Sequence, residues 1–126
     1  MYGLPENIDF SFLVGKELQS VCVAFCTVQL HFDGKNTGIG IEGRFTHRTG
    51  SKTYEWDSDI HHSRKMTSAA ASIFSLLGTS IVSVKAERDG TLRLIFSNKH
   101  EVTLYDDTST YEAYQIWNDN DPLIVV

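Results

Sequence analysis

Val28-Gln29-Leu30-His31-Phe32-Asp33-Gly34 alternates apolar and polar side chains and then stops on a turn dipeptide. Successive side chains of a strand point to opposite sides, so this pattern marks a strand with one buried face. Leu92-Arg93-Leu94-Ile95-Phe96 repeats the spacing of Val28, Leu30 and Phe32 at an offset of 64 residues. The match extends outward from both stretches. Leu13, Gly15, Leu18 and Val21 precede the first, and Leu76, Gly78, Ile81 and Val84 precede the second, at an offset of 63. Ile39 and Ile41 follow the first, and Val102 and Leu104 the second, again at 63. One-residue slips of this kind are tolerated in turns. The chain reads as two similar strand-rich units, about residues 13–57 and 76–106, within one domain over 1–126.

Within the first unit, Ser20 to Phe32 reads as one long strand. Cys22, Ala24, Cys26, Val28, Leu30 and Phe32 share a face, and Thr27, Gln29 and His31 share the other. Asp33-Gly34 opens a hairpin, Gly38 to Phe45 returns, and Lys52 to Asp57 follows the turn Thr49-Gly50-Ser51. The second unit supplies Ile81 to Glu87, a turn at Asp89-Gly90, Leu92 to Phe96, and Val102 to Tyr105. Tyr111 to Trp117 and Leu123 to Val126 complete the strands. Pro122 at a strand start suggests an edge.

Between the units, Met66, Ala69, Ala70, Ile73, Phe74 and Leu77 fall at helical spacing. They predict a helix from Arg64 to Leu77, with Ser63 as its N-cap and Gly78 as its left-handed stop. The expected fold is α+β: antiparallel β meanders of about eight strands curled around one central α-helix.

At 126 residues, with 41% hydrophobic and 21% charged side chains, the chain can bury a core without metals or disulfides. No apolar run approaches the roughly 20 residues of a membrane span. Met1 to Phe12 holds Glu6 and Asp9 and lacks a basic start, so it does not read as a secretory signal, and a cytoplasmic location is expected. Cys22 and Cys26 would lie roughly 13 Å apart on one strand face at about 3.3 Å per residue, beyond disulfide reach. They read as reduced packing residues.

Net charge is −5, and it is unevenly placed. No Lys or Arg follows Lys99, whereas Glu101, Asp106, Asp107, Glu112, Asp119 and Asp121 do. Such a stretch repels nucleic-acid phosphate and anionic membrane and attracts a basic protein surface.

Candidate chemistry is sparse. Asp57, Asp59, His61 and His62 form the densest polar group, but adjacent histidines of an extended chain point apart, and carboxylates before a helix suit its dipole. No metal or cofactor is expected. Gly38-Ile39-Gly40 lacks the third glycine and the helix of a dinucleotide site, and backbone crowding or a bulge explains it better. His31, His47 and His100 read as solvent-facing. No nucleophile elbow or phosphate loop is present, so an enzyme is not expected.

What remains is the acidic-aromatic C-terminal stretch. Tyr and Trp supply contact area at small entropic cost, and carboxylates steer a cationic partner. The candidate partner-binding residues are Asp106, Asp107, Tyr111, Glu112, Tyr114, Trp117, Asp119 and Asp121. Alternation puts Tyr111, Ala113, Gln115 and Trp117 on one face and Glu112, Tyr114 and Ile116 on the other, so some rings belong to the core.

Three stretches carry a family likeness: Leu13-Val14-Gly15-Lys16; Val28 to Phe32 with Asp33 and Asn36; and the closing Tyr111-Glu112-Ala113-Tyr114-Gln115-Ile116 with Ile124-Val125-Val126. With them the chain resembles small bacterial immunity proteins of polymorphic and contact-dependent growth inhibition toxin systems. The resemblance implies a cytoplasmic antitoxin, monomer or weak dimer, that blocks a cognate toxin by protein–protein contact. A nuclease toxin would present a basic cleft to the acidic surface. The alternatives are a small-ligand binder or isomerase-like enzyme using a concave sheet, and a module dimerising through the edge strand Leu123 to Val126.

Overall fold

A computed structural model describes residues 3–4, 8–34, 36–57, 64–108 and 112–126. The described residues form ten strands and one α-helix: β1 (Leu18–Val23), β2 (Val28–Phe32), β3 (Thr37–Ile41), β4 (Phe45–Arg48), β5 (Thr53–Trp56), α1 (Arg64–Ile73), β6 (Ile81–Ala86), β7 (Leu92–Phe96), β8 (Glu101–Leu104), β9 (Tyr114–Asn118) and β10 (Ile124–Val125). Short 3-10 turns at Ser11–Leu13 and Phe74–Leu76 precede β1 and β6. The strands make two five-stranded sheets, in the orders β1-β2-β3-β9-β10 and β5-β4-β8-β7-β6, with every pairing antiparallel. The fold is α+β, with ten strands where the alternation suggests about eight. The helix is not central: it packs on β5 and β4 at one side. Among the described residues, no helix is long and apolar enough to cross a membrane.

Three breaks depart from the expected elements, each for a physical reason. Ser20 to Phe32 is not one strand but the hairpin β1–β2, closed where Ala24 N–H donates to Thr27 O at 2.9 Å. Its turn contains no Gly, Pro, Asn or Asp, the residues that normally advertise one. Cys22 and Cys26 are therefore exposed free thiols rather than packing residues. Gly38 to Phe45 also divides, because Glu42 and Gly43 N–H both donate to Ala113 O, at 3.0 and 2.8 Å, and the chain then crosses to the other sheet. The helix ends at Ile73, and the tighter 3-10 turn rotates Leu76 into the core, leaving Phe74 and Leu77 exposed.

The same hydrogen bonds occur in both halves. Gly15 N–H donates to Ile81 O at 2.7 Å, and 63 residues on Gly78 N–H donates to Leu18 O at 2.9 Å. Leu18 N–H to Thr79 O and Ile81 N–H to Lys16 O form a second matched pair, each 2.9 Å, around an isolated antiparallel bridge between Glu17 and Ser80. Glu17 N–H donates to the Asp33 side chain and Ser80 N–H to the Ser97 side chain. β1 and β6 shift register at the same place, between Leu18 and Ser20 and between Ile81 and Ser83. Asn36 and Lys99 both take positive φ in the following turns, 55° and 70°. These matches define a local pseudo-twofold axis through the Glu17–Ser80 bridge.

Each half then gives its last hairpin away. β4–β5 leaves the β1-β2-β3 meander and pairs with β8, while β9–β10 leaves β6-β7-β8 and pairs with β3. The equivalent pairings are Leu104 with Phe45 and Ile41 with Tyr114. Leu18, Leu30 and Ile39 of one half and Ile81, Leu94 and Val102 of the other are fully buried in a shared core. Neither half covers its apolar face without the other's hairpin.

Gly15 and Gly78 hold φ of +90° and +82°, and a Cβ at either would meet no atom within 4 Å. The whole cost of a side chain there is backbone strain. Gly15→Ala and Gly78→Ala should each destabilise the protein by about 1–2 kcal/mol in urea titrations, and by similar amounts because the sites are equivalent.

Candidate functional site

β9 sorts the candidate residues to its two ends. At the Tyr114 end, Asp107 accepts from Arg44 Nε at 2.8 Å. The Arg44 guanidinium also lies 3.6 Å from Glu55 and 3.8 Å from the centroid of the Tyr105 ring. Asp106 accepts from Gly3 N–H at 2.6 Å and lies against Gly90, where a Cβ would come within 2.5 Å of its own. Glu112 is half-buried. Asp106 and Asp107 tie chain segments together.

Tyr114 is fully buried, and its hydroxyl donates to Gly90 O at 2.6 Å. Burial, with a smaller contribution from the Asp89 charge, pushes its phenol well above the ordinary range. It is a core residue and not a contact ring, because alternation places it with Ile116 on the inner face. Tyr111 lies outside the described residues.

At the other end of β9, about 13 Å along the strand, Trp117 stands on the outer face, half-buried. Its ring spreads over Gly38 and Gly40 of β3 and lies 5.7 Å from the His31 ring. Gly38 is required, because a Cβ there would overlap the indole, whereas one on Gly40 would make ordinary contact at 3.5 Å. Ladder pairing runs unbroken through both glycines, so no bulge is involved. Asp119 and Asp121 are exposed in the β9–β10 turn, where Asp119 N–H donates to Asn36 O at 2.8 Å and Asn118 Nδ2 donates to Asp121 at 3.1 Å.

The structure brings Asp121 to a feature that alternation does not reveal. An apolar groove of about 590 Å³ runs between the segment preceding β1 and strands β9 and β10, lined by Ile8, Phe12, Ile116, Leu123 and Ile124 with Asp9, Asn118 and Asp121. Leu123 is 52% exposed. Hydrogen bonds from Ser11, first its backbone N–H at 2.8 Å and then its hydroxyl, hold the Asp9 carboxyl below the usual carboxylate range. Exposed carboxylates and exposed aliphatic surface thus share one opening. The signals in the sequence are the Leu123-Ile124 pair beside Asp121, and Asp9 between Ile8 and Phe12.

A second polar group is structural. His47 is fully buried rather than solvent-facing, and it links α1 to the β4–β8 face. Ser72 Oγ donates to Ala69 O at 2.7 Å, so it accepts from His47 Nδ1–H at 2.8 Å. His47 Nε2 then accepts from His100 Nδ1–H at 2.9 Å. Although Ser-His-His resembles a hydrolytic series, the hydroxyl proton is committed to a helix carbonyl and the imidazole acceptor is occupied. The string fastens the helix to the sheet.

Asp59, His61 and His62 lie outside the described residues, and Asp57 is half-buried just past β5. Among the described residues, no group of three or more His, Cys, Asp or Glu side chains could hold a metal ion.

The architecture and surface define an internally duplicated, two-sheet β protein with an acid-flanked apolar groove. The chain belongs to DUF6188, a family of unknown function whose model matches residues 11–126. No curated protein and no solved structure matches it.

Desolvation, reinforced by the neighbouring His100, lowers the His47 pKa from 6.5 to about 4. Below pH 6.5 the unfolded chain takes up a proton that the folded state refuses until pH reaches about 4. This contribution is complete above pH 6.5 and is lost as pH falls through that window, by about 2–3 kcal/mol in all. Urea titrations from pH 7 to 4 should show this loss. His47→Ile, which installs the residue type of Ile116, placed two residues after Tyr114 as His47 is two after Phe45, should flatten the profile in that range.

Proposed function

We propose that the protein is a bacterial immunity protein, acting in the cytoplasm as a monomer or weak dimer, that binds a cognate toxin domain and blocks its active site. The observation that carries this reading is the acid-flanked groove: Asp9 and Asp121 beside exposed Leu123 and the apolar walls of Ile116, Ile124 and Phe12. Carboxylates steer a cationic protein and an apolar floor retains it, a division of labour typical of tight heterodimers. A net charge of −5 adds a long-range contribution of the same sign. A nuclease domain, basic where it binds phosphate, is the toxin class that best matches. The contact surface is centred on Asp121, Asp119 and Leu123 with Trp117 on the neighbouring outer face, while Asp106, Asp107 and Glu112 lie at the far end of β9.

The groove's volume also falls within the range of small-molecule sites, which supports the ligand-binding or isomerase-like alternative. An apolar ligand that saturates the groove at micromolar concentration, with no protein partner found, would favour that reading.

The gene beside its own should encode a large protein with a toxic C-terminal domain, and expression of the chain should restore growth to cells producing that domain. Asp119→Lys with Asp121→Lys should slow association with that domain at least about tenfold at low salt, leaving the thermal midpoint within a few degrees. Absence of protection, or unchanged association kinetics, would contradict the proposal.

A further inference from the structure

Among the described residues, one sheet ends on β1 and β10 and the other on β5 and β6. An edge strand offers unpaired N–H and C=O groups to any passing strand, and proteins guard it with charge, proline or brevity. Most of these edges are guarded. β10 is two residues long and follows Pro122. β5 holds Glu55 and is preceded by Lys52, while β6 holds Lys85 and runs on to Glu87 and Arg88. β1 is different. From Leu18 to Phe32, the β1–β2 hairpin contains no Asp, Glu, Lys, Arg or Pro.

The duplication makes this a controlled comparison. β1 and β6 each have six residues, open on a buried aliphatic side chain and shift register just after it. At the offset of 63, however, Cys22, Ala24 and Phe25 stand where the second half has Lys85, Glu87 and Arg88. One edge carries the guard and its equivalent lacks it.

Register fixes which groups of β1 face outward. Ala24 N–H donates to Thr27 O at 2.9 Å, so these two residues form a hydrogen-bonded pair. Antiparallel ladders alternate, which makes Cys22–Gln29 the next such pair and leaves Val23–Val28 and Val21–Leu30 without mutual hydrogen bonds. The backbone N–H and C=O groups of Val21 and Val23 therefore point away from β2, towards the edge. Their side chains lie on the inner face, Val21 packed against the core and Val23 43% exposed beyond it. Cys22 and Gln29 lie on the outer face, both exposed.

We infer that β1 is a dimer interface, pairing antiparallel with β1 of a second copy of this chain so that two sheets become one. The pairing is centred on Cys22, because that register alone uses both outward-facing residues. Val21 of each copy exchanges hydrogen bonds with Val23 of the other. Centring on Val21 would set Val23 against Gln19, where the ladder is irregular, and centring on Val23 would set Val21 against the hairpin turn. Val23 also comes to lie beside Val21 of the second copy, which removes exposed aliphatic surface from water. Charge selects the occupant. With a net charge of −5, two copies meet with least repulsion along a strip that carries none, and the strip offers a charged strand nothing to pair with. The inference goes beyond the toxin-binding reading and does not depend on it, since the groove lies at β10, the opposite edge of the same sheet.

The register brings the two Cys22 residues face to face as a pair without mutual hydrogen bonds, their Cα atoms about 4.5 Å apart and within disulfide range. Sedimentation equilibrium of the full chain in reducing buffer, from about 1 μM to about 1 mM, should show monomer and dimer and no larger species, because a closed twofold leaves no β1 edge free. Cys22→Lys installs the residue of the equivalent Lys85 and sets like charges opposite each other. It should weaken the dimer at least about tenfold and leave the melting midpoint of dilute protein within a few degrees, whereas Cys22→Ser should retain the dimer. The amides of Val21 and Val23 should exchange with deuterium more slowly at high than at low protein concentration. Diamide accepts the two protons and two electrons released when two thiols become one disulfide. It should cross-link Cys26→Ser into dimers and leave Cys22→Ser uncross-linked.

A chain that stays monomeric at about 1 mM would overturn the inference. So would a dimer that tolerates Cys22→Lys, or one that cross-links through Cys26 alone. Protection of Val21 and Val23 by another protein's strand, with this chain monomeric, would equally exclude self-pairing.

Discussion

Four backbone hydrogen bonds around the Glu17–Ser80 bridge hold the rest of the structure in place. Gly15, Leu18, Gly78 and Ile81 donate across a local twofold to Ile81, Thr79, Leu18 and Lys16. These bonds lock the starts of β1 and β6 together, although the two strands are edges of different sheets. The two sheets thereby share one core, and the last hairpin of each half pairs with the other half. Because each bond has a counterpart 63 residues away, a single solution to backbone pairing serves both halves. Left-handed glycines at 15 and 78 make the approach possible, since each lets the chain turn out of its 3-10 turn towards the bridge.

Duplication also makes the differences informative. Where the two halves agree, the residues are those of pairing and core: Leu18 with Ile81, Leu30 with Leu94, Ile39 with Val102. Where they differ among the described residues, one half carries a buried polar string and the other an apolar residue at the same place. α1 seals β4 and β5 with the Ser72–His47–His100 string beneath it, and the string costs acid stability because burial keeps His47 neutral. Ile116, two residues after Tyr114 as His47 is two after Phe45, is buried in the core and needs no such string. The groove and the buried histidine are two outcomes at one structural position.

Much of this was legible from alternation alone, and what was not has physical reasons. The repeat, the Val28–Phe32 and Leu92–Phe96 strands and the turns at Asp33-Gly34 and Asp89-Gly90 all show in residue order, because period two and left-handed turn residues leave strong marks. The β1–β2 turn leaves none, since Val23, Ala24, Phe25 and Cys26 look like strand residues. The break at Glu42-Gly43-Arg44 depends on a carbonyl 70 residues away, that of Ala113, and no local pattern reports it. Alternation separated Tyr114 from Trp117 but could not say which face was inner, and the structure buries Tyr114 and leaves Trp117 outside. The acids looked like one group because they are close in sequence. A strand between them carries Asp106 and Asp107 to one end and Asp119 and Asp121 to the other. Asp9, from the opposite end of the chain, is the carboxylate that joins Asp121 at the groove.

The two halves are mutually completed through exchanged hairpins and the bridge at the twofold, so that neither opens alone. Native-state amide hydrogen exchange with increasing denaturant measures this directly. The amides of Gly15, Leu18, Gly78 and Ile81, together with those of β3, β4, β8 and β9, should converge on one opening free energy equal to that of global unfolding. Convergence of β1–β3 on one value and β6–β8 on a clearly lower one, with the bridge amides following the weaker half, would contradict it.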